Sequence, residues 1–105
     1  MKATYGFHAT MTAREGKGDE LVETLLSAVG GDGPAANPNC VFFLVARSAA
    51  DRDVVHVTEG WTSKEAHAAN FGTETSKLFT AKLAVLIGGE AKYSDDVPVG
   101  GRFNL

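Results

Sequence analysis

Residues 3–12, ATYGFHATMT, alternate strictly. Ala3, Tyr5, Phe7, Ala9 and Met11 fall on one face and Thr4, Gly6, His8, Thr10 and Thr12 on the other, the period of a strand with one buried side. From Asp19 to Val29 the period lengthens. Leu21, Val22, Leu25, Ala28 and Val29 recur at helical spacing with Asp19, Glu20 and Glu23 outward, and Gly30-Gly31 stops the helix. Residues 40–47, CVFFLVAR, are apolar at odd and even positions alike, which a strand tolerates when both its faces are covered. Residues 53–61, DVVHVTEGW, follow the polar turn Ser48 to Arg52, so the two runs predict a hairpin. In TSKEAHAANF, Thr62 and Glu65 stand at capping-box spacing and open a short helix. A second helix is predicted from Glu74 to Ile87, with Phe79, Leu83, Leu86 and Ile87 on its stripe and Gly88-Gly89 ending it. The remainder alternates through Ala91, Tyr93 and Val97 as a last strand, and Pro98 marks where pairing stops.

The predicted order is β-α-β-β-α-β, an α+β, ferredoxin-like arrangement in which helices cover one face of a four-stranded antiparallel sheet. The other face then needs a cover, because CVFFLVAR would leave apolar side chains in water. Closed two-fold pairing lets one patch cover its own copy, so a symmetric homodimer is expected. At 105 residues the chain has room for one core, and residues 1–105 are expected to form a single domain.

Composition narrows the function classes. The chain is 44% hydrophobic and 22% charged, which favours a packed domain over a disordered segment. Its net charge of -3, with the basic residues scattered, argues against nucleic acid as a partner. Cys40 is the only cysteine, so no intrachain disulfide forms and zinc sites of two or four cysteines are excluded. No signal-peptide run and no stretch of about 18 apolar residues occurs, so no membrane partner and a cytoplasmic location are expected. The glycine-rich loop GGDGPAANPN, residues 30–39, precedes neither a Lys-Ser nor a Lys-Thr pair. It is read as a surface connection rather than a phosphate cradle.

Within NPNCVFFLVARSAADRDVVHVTEGWTSKEAHAANF, residues 37–71, the elements Pro38, Cys40, Glu59, Trp61, Ser63 and Ala66 resemble the pattern of the antibiotic biosynthesis monooxygenase family. That pattern is a turn, a small residue or Cys, two strands, Glu-x-Trp and a Ser-x-x-Ala helix. The closing VPVGGR, residues 97–102, is similar to C-termini of the quinol monooxygenase branch. The resemblance implies a dimeric α+β barrel with a pocket between sheet and helices. It also implies oxygenation of a quinol or polycyclic phenol, an aromatic small molecule, with no flavin, metal or heme cofactor. Two departures matter. Many relatives carry a His nine residues after the Trp, where this chain has Asn70. Instead His67 stands six residues after Trp61, where some polyketide-oxidising members have tyrosine. The heme-degrading branch has a tryptophan at the position of Asn70 and a ligating histidine near Thr80, so heme is not expected.

His67, Asn70 and Phe71 share one helix face by spacing, and Trp61 precedes that helix. If the face turns toward the sheet, an imidazole, an amide and an indole N–H converge on one cavity. His67, Trp61 and Asn70 are therefore the candidate catalytic residues, His67 as base and the others as donors. Phe7, Phe43, Phe71 and Tyr93 are the candidate substrate contacts. The bland alternative makes Trp61 and Phe71 ordinary core, His67 a solvated helix residue and Tyr93 a buried, internally bonded tyrosine. His8 and His56, on the opposite sheet face, are assigned to the dimer interface or solvent. Glu59, next to the tryptophan, is read as a structural carboxylate at a strand end, over the alternatives of pairing with a basic residue or acting as a second acid/base group. Three histidines on separate elements lack metal-ligand spacing, so no metal is expected. The rival function is a non-catalytic binding or sensing protein on the same barrel. An isomerase or decarboxylase using the same base is a third.

Overall fold

The computed structural model describes residues 2–102. Among them, four strands and three α-helices run in the order β1 (Tyr5–Thr12), α1 (Gly18–Leu26), β2 (Cys40–Arg47), β3 (Val54–Trp61), α2 (Lys64–Phe71), α3 (Glu74–Ala84) and β4 (Lys92–Asp96). The sheet is antiparallel with strand order β2-β3-β1-β4, so the fold is the ferredoxin-like α+β arrangement expected from the periodicity. Register sets the faces. Tyr5 pairs with Trp61, Phe7 with Glu59, Ala9 with Val57 and Met11 with Val55, which puts these residues together on the face that meets the helices.

Three local boundaries differ from the sequence expectation. After Leu26 the chain tightens into a 3-10 turn, Ser27–Val29. With three residues per turn the side chains leave the α-helical stripe, so Ala28 stays buried while Val29 is half exposed. The N-cap of α2 is Ser63, whose Oγ accepts from Ala66 N at 3.0 Å. Thr62 is held back by the hairpin's base, its N–H donating to Asn39 O and its hydroxyl to Asn39 Oδ1. Helix α3 ends at Ala84, short of Gly88-Gly89. The segment leaving β1 captures its last turn, since Arg14 donates to Val85 O and Leu86 O, and Ala13 bridges Ile87.

A long-range contact starts α1. Its N-cap residue, Lys17, offers no side-chain acceptor. The carboxylate of Asp53, at the foot of β3, accepts from Gly18 N at 3.0 Å and from Gly16 N at 3.1 Å instead, satisfying amides a local cap would otherwise serve. A Cβ on Gly18 would collide with the Arg52 carbonyl, so the absence of a side chain there lets hairpin and helix meet.

The dry core lies at one end of the layer between sheet and helices. Ala9, Leu21, Leu25, Val55 and Val57 are sealed, with Met11, Ala13 and Leu83 around them. At the other end, toward Tyr5 and Trp61, the packing opens. Helix α2 buries none of its residues fully and β4 is exposed along its length, so sheet and helices part there around a cavity. No helix among the described residues is long and apolar enough to cross a membrane.

Candidate active site

The cavity has a volume of about 650 Å³. Strand alternation supplies its floor: Phe7 from β1, Phe43 from β2, Val57, Glu59 and Trp61 from β3, and Tyr93 from β4. Its roof comes from α2 and α3, with Phe79 and Leu83 continuing the apolar wall. Its size and largely apolar lining fit an organic ligand rather than water.

His67 projects from α2 into this space. Its ring centroid lies 5.2 Å from Tyr5, 5.2 Å from Phe7, 5.3 Å from Trp61 and 6.3 Å from Phe71, so the imidazole is boxed by rings. The helix face carrying His67, Asn70 and Phe71 does turn inward, and all three line the cavity. Phe71, 61% exposed, forms the rim with Tyr93, also 61% exposed and stacked on Phe7 at 5.6 Å. Tyr93 is thus not the buried, internally bonded tyrosine of the bland alternative, and His67 is not a solvated helix residue.

Two donors expected to point at a ligand are engaged within the protein. Trp61 Nε1 donates to Glu59 Oε1 at 2.9 Å. Asn70 Nδ2 donates to Pro34 O at 2.9 Å, and Asn70 Oδ1 accepts from Asn37 Nδ2 at 3.2 Å. Asn70's backbone carbonyl also accepts from Ser76 Oγ at 2.6 Å and Thr73 Oγ1 at 2.8 Å. Asn70 therefore ties the glycine-rich loop to the α2–α3 junction. That loop is more than a surface connection: its 3-10 turn Pro34–Ala36 brings Pro34 and Ala35 into the cavity wall. Gly33 makes the close approach possible, since a Cβ there would strike the Ala28 backbone.

Glu59 is the group that sequence reasoning undervalued. Its side chain is 14% exposed and lines the cavity, with Oε1 4.0 Å from His67 Nε2. The available signal was parity, because Glu59 shares a strand face with Val55, Val57 and Trp61. Burial pushes its carboxyl above the ordinary carboxylate range, opposed by the Trp61 hydrogen bond. Burial holds the His67 imidazole below its ordinary value, with the Asp95 charge pulling the other way. Burial thus disfavours the charged form of each group, and at 4.0 Å no hydrogen bond joins them. Burial likewise raises the Cys40 thiol to about 11, helped by the Glu59 charge, which keeps it a protonated, poorly nucleophilic thiol. Tyr5 donates to Asp95 Oδ1 at 2.7 Å and is raised to about 12. It stays a neutral phenol.

A carboxyl forced into a dry wall carries a stability cost that depends on pH. Folded Glu59 retains its proton above the value at which the unfolded chain releases it. Stability therefore falls as pH rises from about 4.5 through the raised folded value. Glu59→Gln keeps an acceptor for Trp61 and has no charge to bury. It is expected to be more stable than the parent at pH 8 and equal to it at pH 4, as urea denaturation at both pH values would register. A parent protein as stable as the variant at pH 8 would contradict the burial argument.

On the outer sheet face, His8 Nδ1 lies 3.0 Å from Thr58 Oγ1 and Thr10 Oγ1 lies 3.0 Å from His56 Nδ1. The two imidazoles stack at 5.9 Å, well separated from the cavity by the sheet.

Comparison with known proteins agrees with this architecture. No curated protein sequence matches the chain. Among solved structures, a candidate antibiotic biosynthesis monooxygenase from Chloroflexus aurantiacus J-10-fl superposes with a TM-score of 0.82 at 29% identity, over 96% of this chain and 98% of that one. SnoaB, a cofactor-independent oxygenase from Streptomyces nogalater, superposes with a TM-score of 0.80 at 13% identity, over 95% and 97% of the two chains. At that identity the likeness is one of fold. The family model described as antibiotic biosynthesis monooxygenase matches residues 4–82, a span containing β1 through most of α3 and nearly every cavity residue. The chain belongs to the antibiotic biosynthesis monooxygenase family.

Proposed function

We propose that this protein is a cofactor-independent monooxygenase that oxidises a quinol or polycyclic phenol in the cavity, with His67 as the base. The observation that carries the proposal is the placement of one imidazole, biased toward its neutral form, inside a cavity walled by Phe7, Phe43, Trp61, Phe71 and Phe79. His67 takes the substrate's proton, and the electron-rich anion passes an electron to dioxygen. The radical pair joins as a carbon-bound peroxide anion, which takes the proton back from His67, and loss of water from the resulting hydroperoxide leaves a new carbonyl. One oxygen atom stays in the product, the other leaves as water, and the substrate supplies all the electrons. Phe7, Phe43, Phe71 and Tyr93 hold the rings. Trp61 acts through Glu59, and Asn70 acts by fixing the Pro34–Asn37 wall, its amide keeping one N–H for a ligand. Oxygen uptake with hydroquinones and anthrones, each compared with a buffer blank, tests the proposal; no uptake above the blank across the panel would refute it. The alternative, a binding protein without chemistry, draws on the engagement of the Trp61 and Asn70 donors within the protein.

The same proposal includes a cytoplasmic homodimer joined through the outer sheet face. Support comes from β2, where Phe42, Leu44 and Ala46 alternate with the inward Phe43 and Val45, and Leu44 is 36% exposed. Light scattering is expected to give twice the chain mass at micromolar concentration, and Leu44→Asp is expected to halve it, since a bare carboxylate in a dry interface is costly. A monomeric parent protein would overturn the dimer.

A further inference from the structure

We infer that the cavity selects an aromatic ligand carrying a protonated amine, and that Glu59 makes the selection by pairing with that amine. The inference rests on the reading above, with the cavity as the ligand site, and narrows the substrate class to an amine-bearing polycyclic phenol. It starts from an imbalance of charge. Glu59 is 14% exposed, and among the described residues no Lys or Arg lines the cavity. The basic group within reach is His67, 4.0 Å away and held toward its neutral form by burial. A buried carboxylate without a firm cationic partner is costly. Trp61 Nε1 donates to Oε1, while the second oxygen has no hydrogen-bond partner among the described residues and is not sealed from the ligand space.

The surrounding field has the same sign. Asp95 on β4 pairs in register with Phe7 and accepts from the Tyr5 hydroxyl at 2.7 Å, and Tyr5 packs on His67 at 5.2 Å. The charges of Asp95, Glu59 and Asp96 all act on Tyr5, and that of Asp95 acts on His67. Lys64 stands 3.9 Å from Asp95 but is largely exposed, so solvent screens it. A cleft lined by one sign of charge concentrates ligands of the other. An ammonium donates to the open Glu59 oxygen as a charge-assisted hydrogen bond and lies against ring faces that attract cations. Its arrival favours the ionised carboxyl, countering the burial that opposes it. A carboxylate on the ligand, by contrast, meets Glu59 and the Asp95 field with no Lys or Arg to receive it. The ammonium also offsets the phenolate charge that His67 generates in the reaction proposed above.

Three probes of nearly equal size test the selection: naphthylmethylamine, naphthylmethanol and naphthoate, each titrated into the protein by calorimetry near neutral pH. The amine is expected to bind about 10- to 100-fold more tightly than the alcohol, the worth of a hydrogen bond to a charged group. Naphthoate is expected to bind at least about tenfold more weakly than the alcohol, as like charges repel. In Glu59→Gln, shown folded by its thermal melt, the amine's advantage is expected to fall at least about tenfold. Asp95→Asn is expected to reduce it by no more than about fivefold, as for a solvent-screened charge. Equal binding of amine and alcohol overturns the inference, as does binding of none of the three. An amine preference that survives Glu59→Gln, or that falls further in Asp95→Asn, takes the selection away from Glu59 and overturns it too. Oxygen uptake with hydroquinones and anthrones, which carry no amine, reports on the oxygenase separately. Uptake without an amine preference removes this inference and leaves the oxygenase; an amine preference without uptake does the reverse.

Discussion

His67→Ala is expected to lower the maximal rate of substrate oxidation by about 10²- to 10⁴-fold with little change in the Michaelis constant. The base moves a proton on the way to the transition state, so its loss falls on turnover. Binding is carried by the ring walls, which the substitution leaves standing. The pH profile gives an independent check. A base works only when neutral, and burial holds His67 below the ordinary value of about 6.5. The parent rate should therefore stay flat as pH falls to about 6.5 and decline only below it. The variant's residual rate should lack that acidic limb. Stability follows the same sign: between the lowered folded value and about 6.5 the unfolded chain binds the extra proton. The parent loses stability as pH falls through that window, and the alanine variant does not lose that part. A variant with full rate and an unchanged profile would remove His67 from the chemistry.

Trp61→Ala is expected to destabilise the fold by about 3–5 kcal/mol, the range for deleting a buried aromatic. For a domain of this size that lowers the midpoint of thermal unfolding by roughly 15–30 °C. Trp61 is the largest fully buried side chain, 1% exposed, and it braces the hairpin, α2 and the Glu59 carboxyl at once. Trp61→Phe separates packing from hydrogen bonding. It restores most of the volume and loses one buried hydrogen bond, for about 1–2 kcal/mol. It also removes the hydrogen bond that holds Glu59 down, so the carboxyl should titrate at still higher pH, visible by carboxyl carbon NMR. Circular dichroism melts decide the stability claim, and an alanine variant melting within about 5 °C of the parent would show that the indole braces nothing.

The strands and helices were legible because burial imposes a period on side chains, two in β1 and about 3.6 in α1. The boundaries were less legible where a distant segment decides them. Nothing near Thr62 reveals that Asn39 will hold it, and nothing near Gly88 reveals that Arg14 and Ala13 will take over the end of α3. The inward face of α2 could be read from the spacing of His67, Asn70 and Phe71. The fate of its polar groups could not, since Trp61 and Asn70 meet partners through contacts that spacing does not encode. Pro34 and Asn37 reach Asn70 across more than thirty residues of chain. Glu59 was visible as a carboxylate on an apolar strand face, but its proximity to His67 depends on how closely α2 approaches the sheet.

That approach has a thermodynamic side. With no residue of α2 sealed from solvent, little buried area opposes its local opening, and its amides should sample solvent more often than those of the core strands. A molecule entering the cavity would replace the missing packing beneath the helix, so α2 would gain order on occupancy. Part of the contact energy would then be spent on ordering the roof. Affinity would be modest for a cavity of this size, in exchange for a wall loose enough to admit a rigid polycyclic ring and release its product.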